Sequence, residues 1–339
     1  MRRSTRKPLT ADFTGVWLSP TSAARLLECP ASLGLGSAVA ETVAVSTPAP
    51  NAGTLAHLAV RRWIEQGAWR FADAAKLTAL FDRAADEAGI DAVTLRDGRL
   101  TRARLAARAT QLGELLSRSS AATIMCEVEL RDPSQLLRGI LDITVLGNPS
   151  SVIDLKTGRD AAGTLARSIQ LQLRVYAHLF RTAHGTLPDH VEAFSLSHGP
   201  ITVEANPASV QAVLDAITAA RKQNPDTAHP APETCRFCQR RMTCEPQWAR
   251  LTDWETPDAL EGEIVQITRA ETGTCGVLLA TAAGPAWLFQ VPANRIPDAA
   301  APGRWLRAIR VGKRQERDKS QDASTWRAGA LTALAVVGP

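Results

Sequence analysis

The sequence predicts an α/β protein: a mixed sheet flanked by helices, followed by a small C-terminal β-barrel of OB-like type. Three observations predict it. Apolar residues recur at helical spacing through several long Ala- and Leu-rich stretches. Short runs rich in Ile, Val and Leu lie between those stretches and another long helical segment. After Trp248 the pattern changes to short strands parted by Gly and Pro turns, as in a small barrel.

Residues 1–16 read as a flexible basic arm. Ser19 caps the first helix, Pro20 fits its first turn, and Pro30 ends it just past Cys29. Residues 37–51 are a loop rich in Ser, Thr, Pro and Ala. A helix from Gly53 to about Gln66 carries His57, and two more follow at 71–89 and 99–118. Residues 122–130 alternate as a strand. Next come two strands parted by Gly147, Asn148 and Pro149, a helix over about 163–184, and strands at 190–197 and 200–204. Asn206 and Pro207 open a helix that runs to Lys222, and Pro225, Pro230 and Pro232 stiffen the linker beyond it. Strands at 262–269, 274–281, 286–291 and 304–311 make the barrel, and 321–337 read as a terminal helix. The expected division is a larger domain over 17–250 and an accessory barrel over 255–339.

The chemistry concentrates in 138–158. Asp142 comes from the first strand of the hairpin, while Asp154 and Lys156 stand two apart on the second and so emerge on one face. Two carboxylates and an ammonium suit a hard divalent cation bound through oxygen, or a lysine that steadies an attacking water or a phosphate oxygen. A surface ion pair is the plain alternative. Against it, the triplet is embedded in apolar strand residues, and the chain has six lysines against 33 arginines. Downstream, Gln172 and Tyr176, the only tyrosine, share a helix face at i and i+4. A lone helical histidine such as His57 is more often structural than a ligand.

The net charge of +5 and a pI near 9.1 favour a polyanionic partner, with basic residues clustered at 2–7, 96–108 and 304–319. Trp287, Phe289 and Trp305 in the barrel are either stacking platforms for bases or core aromatics. No apolar run reaches the length of a membrane span, and the basic N-terminus lacks an apolar signal segment after it. The six cysteines are accordingly expected in a reducing, cytoplasmic setting, where metal ligation outcompetes disulfides. Cys235, Cys238 and Cys244 have ligand spacing, and Cys29 is available as a fourth thiolate. Zinc and a cubane iron–sulfur cluster both satisfy that set. Arg236, Arg240 and Arg241 beside it either approach DNA or offset thiolate charge.

Together these residues resemble the RecB-like branch of the PD-(D/E)XK nuclease superfamily, and within it the iron–sulfur members, which include CRISPR adaptation nucleases. The resemblance spans about 17–248 and rests on several motifs in order. They are Gly53-x-x-x-His57, Gly139-x-x-Asp142, Ile153-Asp154-Leu155-Lys156-Thr157-Gly158, Gln172-x-x-x-Tyr176, and the one-plus-three pattern of Cys29 with Cys235, Cys238 and Cys244. One departure is Asp at 154, where many members carry the longer Glu.

The resemblance implies a restriction-endonuclease-like sheet. His57, Asp142, Asp154 and the Leu155 carbonyl would bind Mg²⁺ or Mn²⁺, and Lys156 would orient water or stabilise charge on the phosphate. Gln172 and Tyr176 would hold the site and the DNA backbone, and the four cysteines would hold a 4Fe–4S cluster. The implied activity is metal-dependent DNA hydrolysis at single strands or ends, as an exonuclease in repair, recombination or defence. A helicase or other nucleic-acid-processing protein is an expected partner. The alternative is a DNA-binding or scaffold subunit whose site is dispensable.

Overall fold

Short polar side chains set where the helices begin. Asn51, Asp73 and Asn206 each accept a backbone N–H three residues ahead, from Thr54, Lys76 and Ser209. In a computed structural model of the chain, residues 12–34, 50–158, 165–314 and 323–338 are described. The helices of the first part are α1 (Pro20–Glu28), α2 (Ala52–Glu65), α3 (Ala74–Glu87), α4 (Gly98–Ser117), α5 (Arg167–His184) and α6 (Pro207–Ala220). Its strands are β1 (Ser120–Asp132), β2 (Leu137–Asn148), β3 (Ser151–Lys156), β4 (His190–Ser195) and β5 (Gly199–Thr202).

The five strands form one sheet in the order β1-β2-β3-β4-β5. Every pair is antiparallel except β3–β4, whose parallel pairing is allowed by the long crossover through α5. One face of the sheet, through Ile143, Val145, Ile153, Leu155 and Phe194, packs on Leu55, Trp63, Phe81, Leu112 and Leu116 of α2, α3 and α4. Each such side chain contributes about 1.5–3 kcal/mol through burial. Trp63 is fully buried, and its indole N–H donates to the Asp73 carbonyl at 2.9 Å. On the other face, Leu141 and Val152 meet Phe180 and Tyr176 of α5.

The expected flexible arm ends earlier than residue 16. Phe13 is fully buried, and the Arg221 guanidinium donates to the Phe13, Val16, Gln135 and Leu136 carbonyls. Four carbonyl acceptors on one rigid fork tie this segment down. The basic residues of 1–11, most of the 37–51 loop, and Arg317 and Lys319 lie outside the described residues.

The chain divides into two compact units, one of Met1–Glu28 with Leu35–Pro225, the other of Cys29–Gly34 with Asp226–Pro339. This differs from a division at 250–255. Residues from Asp226 onward, the cysteine loop included, pack with the barrel. Arg241, 1% exposed, pairs with Asp258, and Arg307 holds both Glu245 and Glu261. The second unit holds α7 (Pro232–Cys235) and α8 (Glu245–Arg250), then β6 (Ala259–Arg269), β7 (Thr274–Thr281), β8 (Gly284–Pro292), β9 (Trp305–Lys313) and β10 (Ser324–Val337). These five strands close into a barrel in the order β10-β8-β7-β6-β9. β8 and β10 run parallel, while the other four pairs are antiparallel. That is the OB arrangement of five strands.

The expected terminal helix is therefore wrong from Ser324 onward. Its Ala- and Leu-rich residues favour a helix locally, but pairing with β9 and β8 closes the barrel and overrides that propensity. Trp326 is buried within the barrel core.

Candidate active site

The site forms where β2 and β3 part. Their ladder pairs Val145 with Ser151, Thr144 with Val152 and Ile143 with Ile153. One residue on, Asp142 Oδ2 accepts the Leu155 N–H at 2.8 Å, taking a backbone donor with a side chain. The carboxylate is thus fixed in the cleft between the two strands. The same bond holds the backbone of Leu155, whose side chain is buried in the core.

His57 enters from α2, with Nδ1 3.3 Å from Asp142 Oδ1. Gly53 lets the start of that helix approach the end of β3, because a Cβ there would lie 2.7 Å from Thr157 Oγ1. Burial alone would lower the His57 pKa, but the hydrogen bond and charge of Asp142 outweigh it and hold the imidazole above its ordinary value.

Asp154 is 6% exposed, and its Oδ2 lies 2.7 Å from Lys156 Nζ. That contact lacks hydrogen-bond alignment, so Oδ2 has no well-aligned donor. Burial pushes the Asp154 carboxyl up, against the pull of the Lys156 ammonium. Lys156 Nζ also donates to Gln172 Oε1 at 3.4 Å. Tyr176 stands one turn further along α5. Burial and the charges of Asp154 and Asp142 push its phenol up, so it remains a hydrogen-bond donor. Its ring lies against Gly139, where a Cβ would sit 3.0 Å from Tyr176 Cε1.

The structure therefore brings together His57, Asp142, Asp154, Leu155, Lys156, Gln172 and Tyr176. Two neighbours escaped the sequence reading. Glu127 of β1 stands across from Asp142, between the pairs Cys126–Ile143 and Val128–Leu141. It adopts a left-handed φ of 54° and pairs with Arg61, one helical turn after His57. The only signal was strand register, which would have set this acidic residue opposite Asp142.

Hard oxygen donors beside an imidazole suit a divalent cation, and a buried carboxylate oxygen without an aligned donor is a coordination position in waiting. Among the described residues, however, no three His, Cys, Asp or Glu side chains already stand at metal-holding spacing. His57 pairs with Asp142 and Asp154 with Lys156, so a cation would enter by displacing those pairs.

The second candidate centre lies wholly in the barrel-bearing unit. Cys29, Cys235, Cys238 and Cys244 line one cavity of about 250 Å³. Burial pushes the Cys235 thiol up to about 11, and Cys244, Cys238 and Cys29 push it the same way, although among the described residues these cysteines do not already stand at metal-holding spacing. The His229 N–H donates to Cys29 Sγ at 3.4 Å. The arginines of this loop are engaged locally. Arg240 donates to the Ala31 carbonyl, Arg241 is interior, and Arg236 lies over the Phe237 ring. Elsewhere, Arg102 and Arg108 of the α4 cluster are held by Asp82 and the Ser197 carbonyl. Among the described residues no helix is long and apolar enough to cross a membrane.

Comparison with known proteins gives one informative match. No curated protein is significantly similar. Among solved structures, SSO0001 is 13% identical, with 72% of this chain and 90% of that one covered and a TM-score of 0.28. A murine DNA binding protein bound with ds DNA is 10% identical over 64% of this chain and 95% of that one, with a TM-score of 0.22. The replication factor A related protein from Methanobacterium thermoautotrophicum is 12% identical over 26% of this chain and 87% of that one, with a TM-score of 0.20. At these TM-scores none of the three carries weight for the fold. The family model of the PD-(D/E)XK nuclease superfamily, by contrast, matches residues 17–245, a span that holds the parted strands, His57 and all four clustered cysteines. On that match the chain belongs to the PD-(D/E)XK nuclease superfamily.

Proposed function

We propose that the chain is a divalent-metal-dependent deoxyribonuclease acting on single strands or DNA ends. The observation that carries this reading is the convergence of Asp142, Asp154 and Lys156 where β2 and β3 separate, with His57 on one side and Gln172 and Tyr176 on the other. His57, Asp142, Asp154 and the Leu155 carbonyl would hold Mg²⁺ or Mn²⁺. When bound, such a cation acidifies water and neutralises charge on a phosphate. Lys156, steadied by Asp154 and Gln172, offers its ammonium to the scissile phosphate or the attacking water. Tyr176, kept protonated, donates its hydroxyl to a phosphate oxygen. Asp142 holds the Leu155 backbone in place through its second oxygen.

The four cysteines are proposed to carry a 4Fe–4S cluster, in the manner of RecB-like iron–sulfur nucleases. The support is that all four line one cavity in one unit although Cys29 stands about 200 residues from the others. An exonuclease working beside a helicase is the pathway role proposed, as the RecB-like resemblance implies.

The test is end-labelled single- and double-stranded DNA incubated with anaerobically purified protein and Mn²⁺. Progressive shortening from an end by the parent chain, lost in Lys156→Ala, is the expected result. Intact DNA in every arm would overturn the reading.

A further inference from the structure

We infer that the outer face of the barrel over β7, β8 and β10 is a binding site for single-stranded nucleic acid, formed by Trp287, Phe289, Gln290, Arg314 and Arg327. The sequence named three barrel aromatics as either stacking or core residues, and the structure separates them. Along β8, Ala286, Leu288 and Val291 point into the barrel, so Trp287 and Phe289 point out. Their rings stack on each other with centroids 5.4 Å apart and planes within 14°. Phe289 is 38% exposed. Trp305, in contrast, sits half-buried on β9, where with Trp248 and Arg307 it lines a different cavity.

A local irregularity presents the site. β7 pairs Cys275 with Val291 and Val277 with Leu288, so Phe289 and Gln290 together face the single residue Gly276. Such a bulge re-aims side chains, and here both Phe289 and Gln290 turn outward. At Gly276, opposite Phe289, a Cβ would lie 2.9 Å from Thr268 Oγ1 and 3.4 Å from the Phe289 ring, so glycine fits there without a shift. The parallel pairing of β10 with β8 sets Arg327 beside Phe289 and Thr325 beside Trp287. Arg314 donates its backbone N–H to the Thr325 carbonyl at 2.8 Å. Phe289, Gln290, Arg314 and Arg327 line an open cavity of about 320 Å³.

The occupant follows from the chemistry. β7, β8 and β10 contain no Asp or Glu, and neither the Arg314 nor the Arg327 side chain has an ionic partner among the described residues. Flat rings partly open to water, beside guanidinium groups with no ionic partner among the described residues, match a base face with its phosphate. The two rings are too close for a base to enter between them, so a base stacks on the open side of the pair. In a duplex the bases already stack on one another, which leaves only an unpaired strand able to use the rings. The Gln290 amide offers a donor and an acceptor to a base edge. The inference rests on the nucleic-acid reading of the chain and is independent of its cleavage chemistry.

The test uses the full chain in chelator, so that no hydrolysis intrudes, with a fluorescein-labelled oligothymidine followed by anisotropy at several salt concentrations. Trp287→Ala and Phe289→Leu should each weaken binding by about 5- to 100-fold, and Phe289→Tyr should restore it. Arg327→Ala should lower the slope of log K against log salt by about 0.7. Trp305→Ala should bind as the parent does. Unchanged affinity in Trp287→Ala and Phe289→Leu, equal binding of a duplex, or an equal loss in Trp305→Ala would overturn the site. So would a parent chain that does not bind the oligonucleotide, which would leave the face to a protein partner. If Phe289→Leu does not fold, the Arg327→Ala salt slope decides. The nuclease reading fails on a different result, intact DNA with Mn²⁺, so the two failures are distinguishable.

Discussion

Asp154 Oδ2 and Lys156 Nζ lie 2.7 Å apart, two residues along one strand, with the carboxylate buried and the ammonium half-buried. The pair stores a charge in the protein interior that folding alone does not need. Lys156→Ala should therefore abolish cleavage, by at least about 100-fold, while the unfolding temperature moves by only a few degrees. Asp154→Asn should likewise be inactive, and in chelator it should melt no lower than the parent, because it removes a buried charge with a poorly satisfied oxygen. Calorimetry beside the end-label assay checks both. Undiminished cleavage by either variant would remove the pair from the site.

Asp142 has two functions that substitution can separate. Asp142→Asn keeps an oxygen for the Leu155 N–H and should unfold within about 1 kcal/mol of the parent, yet fail to cleave. Asp142→Ala leaves that N–H without its acceptor and should cost a further 1–3 kcal/mol or about that much. Urea unfolding of the two variants tests the difference. Equal stability would mean that the Leu155 bond does not fix the backbone.

The cysteine cavity predicts colour and stability together. Anaerobic protein should be brown, with about four irons per chain. Cys29→Ser should lose iron and destabilise the barrel-bearing unit, whereas Cys126→Ser and Cys275→Ser should keep it, since neither lines the cavity. Stoichiometric zinc in colourless protein made anaerobically with iron supplied would replace the cluster with a zinc site.

Acid stability should report on Asp132. This carboxylate is 4% exposed, and His178 Nε2 lies 2.6 Å from its Oδ2. Burial alone would raise its pKa, but hydrogen bonds from Ser134, His178 and the Ser134 and Gln135 backbone outweigh it and hold it below the ordinary value. A depressed folded pKa contributes stability that is present above the unfolded value of about 3.9 and lost as pH falls through the folded one. Asp132→Asn should flatten that acid limb, and Asp132→Ala should cost about 3 kcal/mol at neutral pH. Urea midpoints from neutral to acid pH measure both effects.

Much of this was legible in the chain, and the parts that were not share a cause. Asn206 and Pro207 announced a helix start because cap and first-turn preferences are local. Asp142, Asp154 and Lys156 stood out because charges within apolar alternation are costly. Residues 324–337 misled because their Ala and Leu content favours a helix, and only pairing with β8 and β9 makes them a strand. Glu127 was hidden because its position opposite Asp142 follows from β1–β2 register, and its left-handed backbone from neither neighbour alone. The grouping of Cys29 with the barrel rather than with α1 depends likewise on contacts about 200 residues away in the chain.

That grouping has a consequence for the order of synthesis. One unit is interrupted, with Cys29–Gly34 near the start and Asp226–Pro339 after a long excursion. The ribosome therefore delivers all of Leu35–Pro225, a complete sheet with its helices, before the partners of Cys29 exist. Until residue 244 has emerged, the first thiol waits without its cavity, open to oxidation. A chain stalled after Pro225 would hold every residue of the parted-strand site and none of Cys235, Cys238 and Cys244. Closing the cysteine cavity thus marks a chain made past residue 244, which a nuclease without that closure would not have to be.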